Sequence, residues 1–242
     1  MRHIHSVLSA ALLCGVLGVA GASPEAPVST VDFSMVRVPH QTDMGSRVEV
    51  LEFFSYPCPH CNIFDPMLNA WAAPRANEVA IKRVHVAFGK KGDVHQRLYY
   101  TLEALGKGEA LRGAVFKAIH ADGNKLRKEQ QVFDFAAAQG LDRQKFIAAY
   151  RSADVDARVA AAVAMEERYR IGQIPTVFVG GKYMTAPFYF HKTPSLYERV
   201  SNFVRGTEKR DAFEQKSTIQ VINALVDKEL QEGRAERSAR AN

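Results

Sequence analysis

Val48-Glu49-Val50-Leu51-Glu52-Phe53-Phe54-Ser55-Tyr56-Pro57-Cys58-Pro59-His60-Cys61 is the stretch whose reading decides the fold. Its first half is rich in branched and aromatic residues, the composition of a buried strand. Ser55-Tyr56-Pro57 breaks the strand. A helix is expected to follow, because Pro59 suits a first turn in which the missing N–H would have had no partner. Leu68 and Trp71 continue the apolar face of that helix. Pro66 is expected to kink it and Pro74 to end it. The two cysteines therefore flank a strand-to-helix junction.

Working outward, residues 23 to 46 are rich in Pro, Ser and Thr, with an edge-strand candidate at Phe33 to Val38. Val79 to Phe88 reads as a second strand. A helical block follows, with Leu98, Leu102 and Leu105, then Leu111, Val115 and Ile119, then Val155, Val159 and Val163 at helical spacing. Ile174-Pro175-Thr176-Val177-Phe178-Val179 leads to Gly180-Gly181, a hairpin turn signal because glycine tolerates positive φ. Helical stretches are expected near Pro194 to Val204 and Phe213 to Leu230, where Ile219, Ile222 and Val226 share a face. This order predicts an α/β fold: a sheet domain in two segments, 23–93 and 171–205, interrupted by an all-helical insertion at 94–170. A C-terminal helical extension at 206–231 and a disordered basic tail at 232–242 complete the expected organisation.

The first 22 residues differ in kind. Arg2, His3 and His5 precede an apolar run from Val7 to Ala20, and Ala20-Gly21-Ala22 offers small residues to a signal peptidase. This is a secretory signal pattern with cleavage expected after Ala22. The apolar run is short for a membrane span, which needs ~20 residues. Of the three cysteines, Cys14 leaves with the signal, so an exported chain would keep only Cys58 and Cys61. A disulfide between residues so close in sequence constrains little of the chain, which favours chemistry over stapling. The net charge of +6 is modest, and part of it lies in the tail at Arg234, Arg237 and Arg240. No basic stripe with groove-reading motifs accompanies it, so no nucleic-acid partner is expected.

A Cys-x-x-Cys pair at a helix start is a redox arrangement. Unpaired backbone N–H groups and the positive end of the helix dipole stabilise a thiolate there. Cys58 is expected to be the exposed nucleophile. Cys61, one turn in, is placed to attack and resolve a mixed disulfide. Pro59 removes a donor that would be idle, and His60 can add a positive charge or an N–H donor. A thiolate two units below neutral would favour the reduced form by ~2.7 kcal/mol, making the disulfide a strong oxidant. Zinc would need four ligands; there is no second cysteine pair, and His85 and His95 are wrongly spaced. No metal and no cofactor are expected. A structural disulfide, or a hydrolytic cysteine that leaves Cys61 idle, fits less well.

The stretch from Val50 to Cys61, with Pro-His between the cysteines, resembles the active-site segment of the DsbA family of periplasmic thiol:disulfide oxidoreductases. Pro66, the His85-Val86-Ala87-Phe88 segment and Ile174-Pro175 with its hairpin are similar to the same family, and the resemblance spans roughly residues 48 to 205. It implies a thioredoxin-like fold with an inserted helical domain, a depressed thiol pKa and an oxidising potential. It also implies a cis peptide before Pro175 that brings the Ile174 backbone beside Cys58 to receive an extended substrate. By the same resemblance Glu52 is an acid beneath the cysteines, with Arg83 as its basic partner. The implied activity is donation of a disulfide to reduced exported proteins in the periplasm, with reoxidation by a DsbB-type membrane quinone oxidoreductase. The competing readings are a disulfide isomerase or reductase of the same class, and a redox-inactive chaperone. Residues 23–46 are too few to form the dimerisation domain of an isomerase.

Overall fold

The computed structural model describes residues 27–88, 93–187 and 207–241. Five strands form its sheet: β1 (Ser34–Met35), β2 (Val48–Phe54), β3 (Val79–His85), β4 (Thr176–Val179) and β5 (Tyr183–Thr185), in the order β1-β5-β4-β2-β3. β2 and β3 are parallel, with Val48 opposite Val79 and Phe54 opposite His85. A parallel pair needs a crossover, and α1 (Pro59–Ala72) supplies it. β4 returns antiparallel to β2, and β5 antiparallel to β4. Between β3 and β4 the elements among the described residues are helices: α2 (Val94–Ala104), α3 (Gly108–His120), α4 (Glu129–Ala138), α5 (Arg143–Tyr150) and α6 (Ala153–Arg168). α7 (Thr207–Ala241) follows the sheet.

All seven residues of β2 are buried, including Glu49 and Glu52. A strand covered on both faces needs two covers, and alternation along the strands assigns them. Leu51, Phe53 and Phe178 face a core shared with the helical block. Val48, Val50, Val177 and Val179 face a second core, closed by Phe64 and Leu68 of α1 and Val221, Ile222, Leu225 and Val226 of α7. α7 is therefore a cover of the sheet itself. Trp71 Nε1 donates to Asn223 Oδ1 at 3.0 Å, and Arg75 pairs with Asp227 at 2.5 Å, fixing α7 against the end of α1.

Local chemistry explains the boundaries. Asp93, Asp142 and Ser152 cap α2, α5 and α6 by accepting from the N–H groups of His95, Lys145 and Val155. Pro74 lies in a 3₁₀ turn at Ala73–Arg75, just past the end of α1. Gly180 and Gly181 have φ of 57° and 66°, as a two-residue hairpin turn with positive φ at both positions demands. A Cβ on Gly181 would also meet the His40 carbonyl oxygen at 2.1 Å.

Three expectations need correction. β3 ends at His85, not Phe88, because the Ala87 N–H turns to Glu166 Oε2 and Phe88 adopts φ 45°. The edge strand is only Ser34–Met35. The tail expected to be disordered from 232 continues α7 to Ala241; its Ala, Glu and Arg residues are good helix formers, but they are mostly exposed and carry no apolar period to read. The signal segment at 1–22 and the stretch from Pro194 to Val204 lie outside the described residues.

Leu225 is 1% exposed within the second core. Leu225→Ala is expected to lower the unfolding free energy by about 2–5 kcal/mol. Deletion of residues 234–242 is expected to leave it within about 0.5 kcal/mol, because residues 234–240 are exposed. Urea denaturation of the three proteins checks both.

Candidate active site

β2 delivers the chain to a turn in which the Cys58 N–H donates to the Ser55 carbonyl at 3.1 Å. Cys58 is then the N-cap of α1, with extended backbone angles and Pro59 in the first helical position. Its sulfur takes the part of a capping oxygen: the Cys61 N–H donates to Cys58 Sγ at 3.4 Å. Both cysteines are free thiols, Cys58 half-buried and Cys61 fully buried. The Ile174–Pro175 peptide bond is cis, and the Ile174 carbonyl oxygen lies 3.9 Å from Cys58 Sγ. Thr176 Oγ1 donates to the Gln173 carbonyl and closes this loop. The structure thus brings together Cys58, Pro59, Cys61, Ile174 and Pro175.

The two thiols are electrostatically unequal. The hydrogen bond between the two cysteine side chains, with the backbone N–H groups of Cys61 and His60, outweighs burial and holds the Cys58 pKa down to about 7. Burial, and then the Cys58 side chain, push the Cys61 thiol well above its ordinary value. The His60 side chain is exposed, and it is the His60 backbone N–H that acts on the sulfur.

Glu52 is fully buried on β2. Arg83 Nε donates to its Oε2 at 2.9 Å, while Oε1 has no partner among the described residues. Burial raises the Glu52 pKa against the pull of Arg83, and the Glu52 charge raises both cysteine pKa values. Arg83 also reaches Asn69, and Asp65 of α1 accepts from Arg112 Nε at 2.6 Å. Glu109 holds the other end of Arg112. Asp65 and Arg112 were not singled out by sequence. A lone acid and a lone base on separate amphipathic helices carry no local signal that they meet.

Tyr56 is fully buried before the cysteines, with its ring 5.4 Å from Phe54 and 5.1 Å from Phe116 between ring centres. Its hydroxyl has no partner among the described residues. Tyr56→Phe removes an uncompensated polar group and is expected to raise stability by about 1 kcal/mol, read as a higher urea midpoint.

A dithiol split across a strand–helix junction, facing a cis-proline loop, on a sheet with a helical insertion, defines a thioredoxin-like thiol–disulfide site. Residues 49–192 match the model of the DSBA-like thioredoxin domain, and the chain belongs to that family. It is 39% identical over 194 residues to the thiol:disulfide interchange protein DsbA of Burkholderia cepacia, covering 80% of this chain and 92% of that one. It is 30% identical over 183 residues to the protein of the same name from Pseudomonas aeruginosa, covering 76% and 86%. The crystal structure of the oxidoreductase DsbA from Xylella fastidiosa superposes with a TM-score of 0.68 at 27% identity, over 84% of this chain and 97% of that one.

The thiol asymmetry has a sign in pH. Folding lowers the Cys58 pKa from about 9 to about 7. The thiolate therefore stabilises the reduced protein fully above the unfolded value, and this is lost as pH falls through 7. Cys61, shifted upward, opposes folding above its own unfolded value. The reduced protein is thus expected to gain stability over Cys58→Ser between pH 7 and 9, by up to about 3 kcal/mol. Urea denaturation of both reduced proteins across that window measures the gain.

Proposed function

We propose that this chain is a periplasmic dithiol oxidase that gives its Cys58–Cys61 disulfide to reduced exported proteins. A substrate thiolate attacks Cys58 Sγ, the more exposed sulfur, and the electron pair of the S–S bond leaves on Cys61. The second substrate thiolate attacks the substrate sulfur of the mixed disulfide and expels Cys58 as thiolate. The substrate loses two electrons and the enzyme gains them. Cys58 leaves readily because two backbone N–H groups and Cys61 stabilise its anion. The observation that carries this reading is geometric: the Cys58 sulfur caps α1 and accepts from the Cys61 N–H, beside the cis-proline loop, with its pKa held below the ordinary thiol value. It favours the dithiol over the disulfide and so drives electrons into the enzyme.

Ile174 and Pro175 form the substrate-side rim, with the Ile174 backbone offered to an extended peptide. Glu52 is placed to receive or return the proton of the buried Cys61 thiol. The dithiol product is returned to disulfide by a quinone-linked membrane oxidant of the DsbB type. Among the described residues no helix is long and apolar enough to cross a membrane.

The oxidised protein is expected to oxidise a peptide with two cysteines stoichiometrically, and to equilibrate with glutathione strongly toward its dithiol. Cys58→Ser is expected to lose the activity, and Cys61→Ser, given the peptide in its disulfide form, to attack it through Cys58 and accumulate the mixed disulfide as one peptide thiolate leaves. Thiol trapping and mass spectrometry read all four. Full peptide oxidation by Cys58→Ser, or a thioredoxin-like reducing equilibrium, would overturn the reading.

A further inference from the structure

The residue two before Cys58 is held by two histidines from different parts of the fold. The Tyr56 N–H donates to His85 Nε2 at 3.1 Å, and His120 Nε2 lies 2.7 Å from the Tyr56 carbonyl oxygen. His85 ends β3, whereas His120 is the last residue of α3, within the helical insertion. His85 must carry its proton on Nδ1 to accept at Nε2. Burial holds its pKa down to about 3, so the acceptor persists at any working pH. A carbonyl accepts, so His120 must carry a proton on Nε2.

These bonds fix both peptide groups of Tyr56. Pro57 has its φ set by its ring, and the Cys58 N–H is tied to the Ser55 carbonyl. Little torsional freedom is left between β2 and the cysteine. We propose that His120 is a positioning residue for the reaction: through the Tyr56 carbonyl it holds Cys58 Sγ where the Cys61 and His60 N–H groups reach it. The helical insertion thereby helps to set the acidity of the reactive thiol. His120 also lines a groove of about 360 Å³ with Asn62, Pro66, Gly113, Phe116 and Lys117, so its ring is not sealed in. This inference deepens the oxidase reading and rests on it for its meaning, but its readout does not depend on turnover.

The test titrates the Cys58 thiolate by its ultraviolet absorbance in a Cys61→Ala background, with His120→Leu and His120→Gln, and follows each unfolding midpoint. Leu removes the donor, while Gln can restore it. His120→Leu is expected to lower the Cys58 acid dissociation constant about fivefold, the scale of one neutral hydrogen bond. His120→Gln is expected to stay within about twofold of the parent. In the full chain the glutathione equilibrium should shift in the same order. An unchanged Cys58 titration in folded His120→Leu, or equal shifts in both variants, overturns the proposal. Should His120→Leu not fold, nitrogen NMR of the unmodified protein decides: a neutral His120 protonated on Nδ1 rather than Nε2 excludes the bond. Peptide oxidation by Cys58→Ser would sink the oxidase reading and leave this titration interpretable.

Discussion

The Cys61 N–H directed at the Cys58 sulfur is the interaction on which the site depends. It exists because β2 ends in a turn that makes a cysteine the N-cap of α1. A capping residue faces N–H groups that the helix cannot satisfy itself. Sulfur is a poor acceptor as a thiol and a good one as a thiolate, so the cap bond strengthens when the proton leaves. The same helical turn carries Cys61 inward to full burial, where an anion is disfavoured. One backbone geometry thus lowers one thiol and raises the other. A disulfide can use neither effect, which is why the difference is expressed as a redox preference.

Beneath the dithiol, the buried ion pairs pull in several directions. Glu52 without Arg83 would be an uncompensated charge in the core, and burial already pushes its proton affinity up. With Arg83 it is paired through one oxygen, and the other has no partner among the described residues. A buried pair of this kind is weak as a source of stability, since desolvation offsets the attraction. Its charge also raises the cysteine pKa values, opposing the helix N-terminus. A structural purpose alone explains poorly why an acid is kept where it costs on both counts. The proton-handling role proposed for Glu52 uses the same burial that the core would rather avoid.

Much of this was legible in the sequence where the signal was local. The buried strand, the capping cysteine and Pro59 are neighbours in the chain, so Val48 to Cys61 could be read directly. Gly180-Gly181 declared its turn because few other residues accept positive φ twice running. The boundaries of β3 and α7 were misread, and for opposite reasons. Val86-Ala87-Phe88 has a strand's composition, yet a side chain from α6 takes the Ala87 N–H. Residues 232–241 lack an apolar face, yet helix propensity carries the helix onward without one. Asp65, Arg112 and His120 were invisible for a third reason: each meets its partner across elements far apart in the chain, and one sequence does not report such meetings.

Those long-range meetings share a direction. The helical block fills one face of the sheet with Val115, Phe116 and Ile119, which an inert filler would do equally well. It also sends Arg112 to Asp65 on α1 and His120 to the Tyr56 carbonyl. Both contacts end within one turn or two of the cysteines. Tyr56 answers from the other side, its ring packed on Phe116 and its backbone leading to Cys58. The apolar core that the two parts share would hold them together without any of these polar contacts. Polar contacts add direction, because they fail when groups are misplaced by an ångström or so. The insertion is therefore joined to the sheet domain by apolar burial, and is joined to the chemistry by hydrogen bonds that specify where the active-site turn must lie.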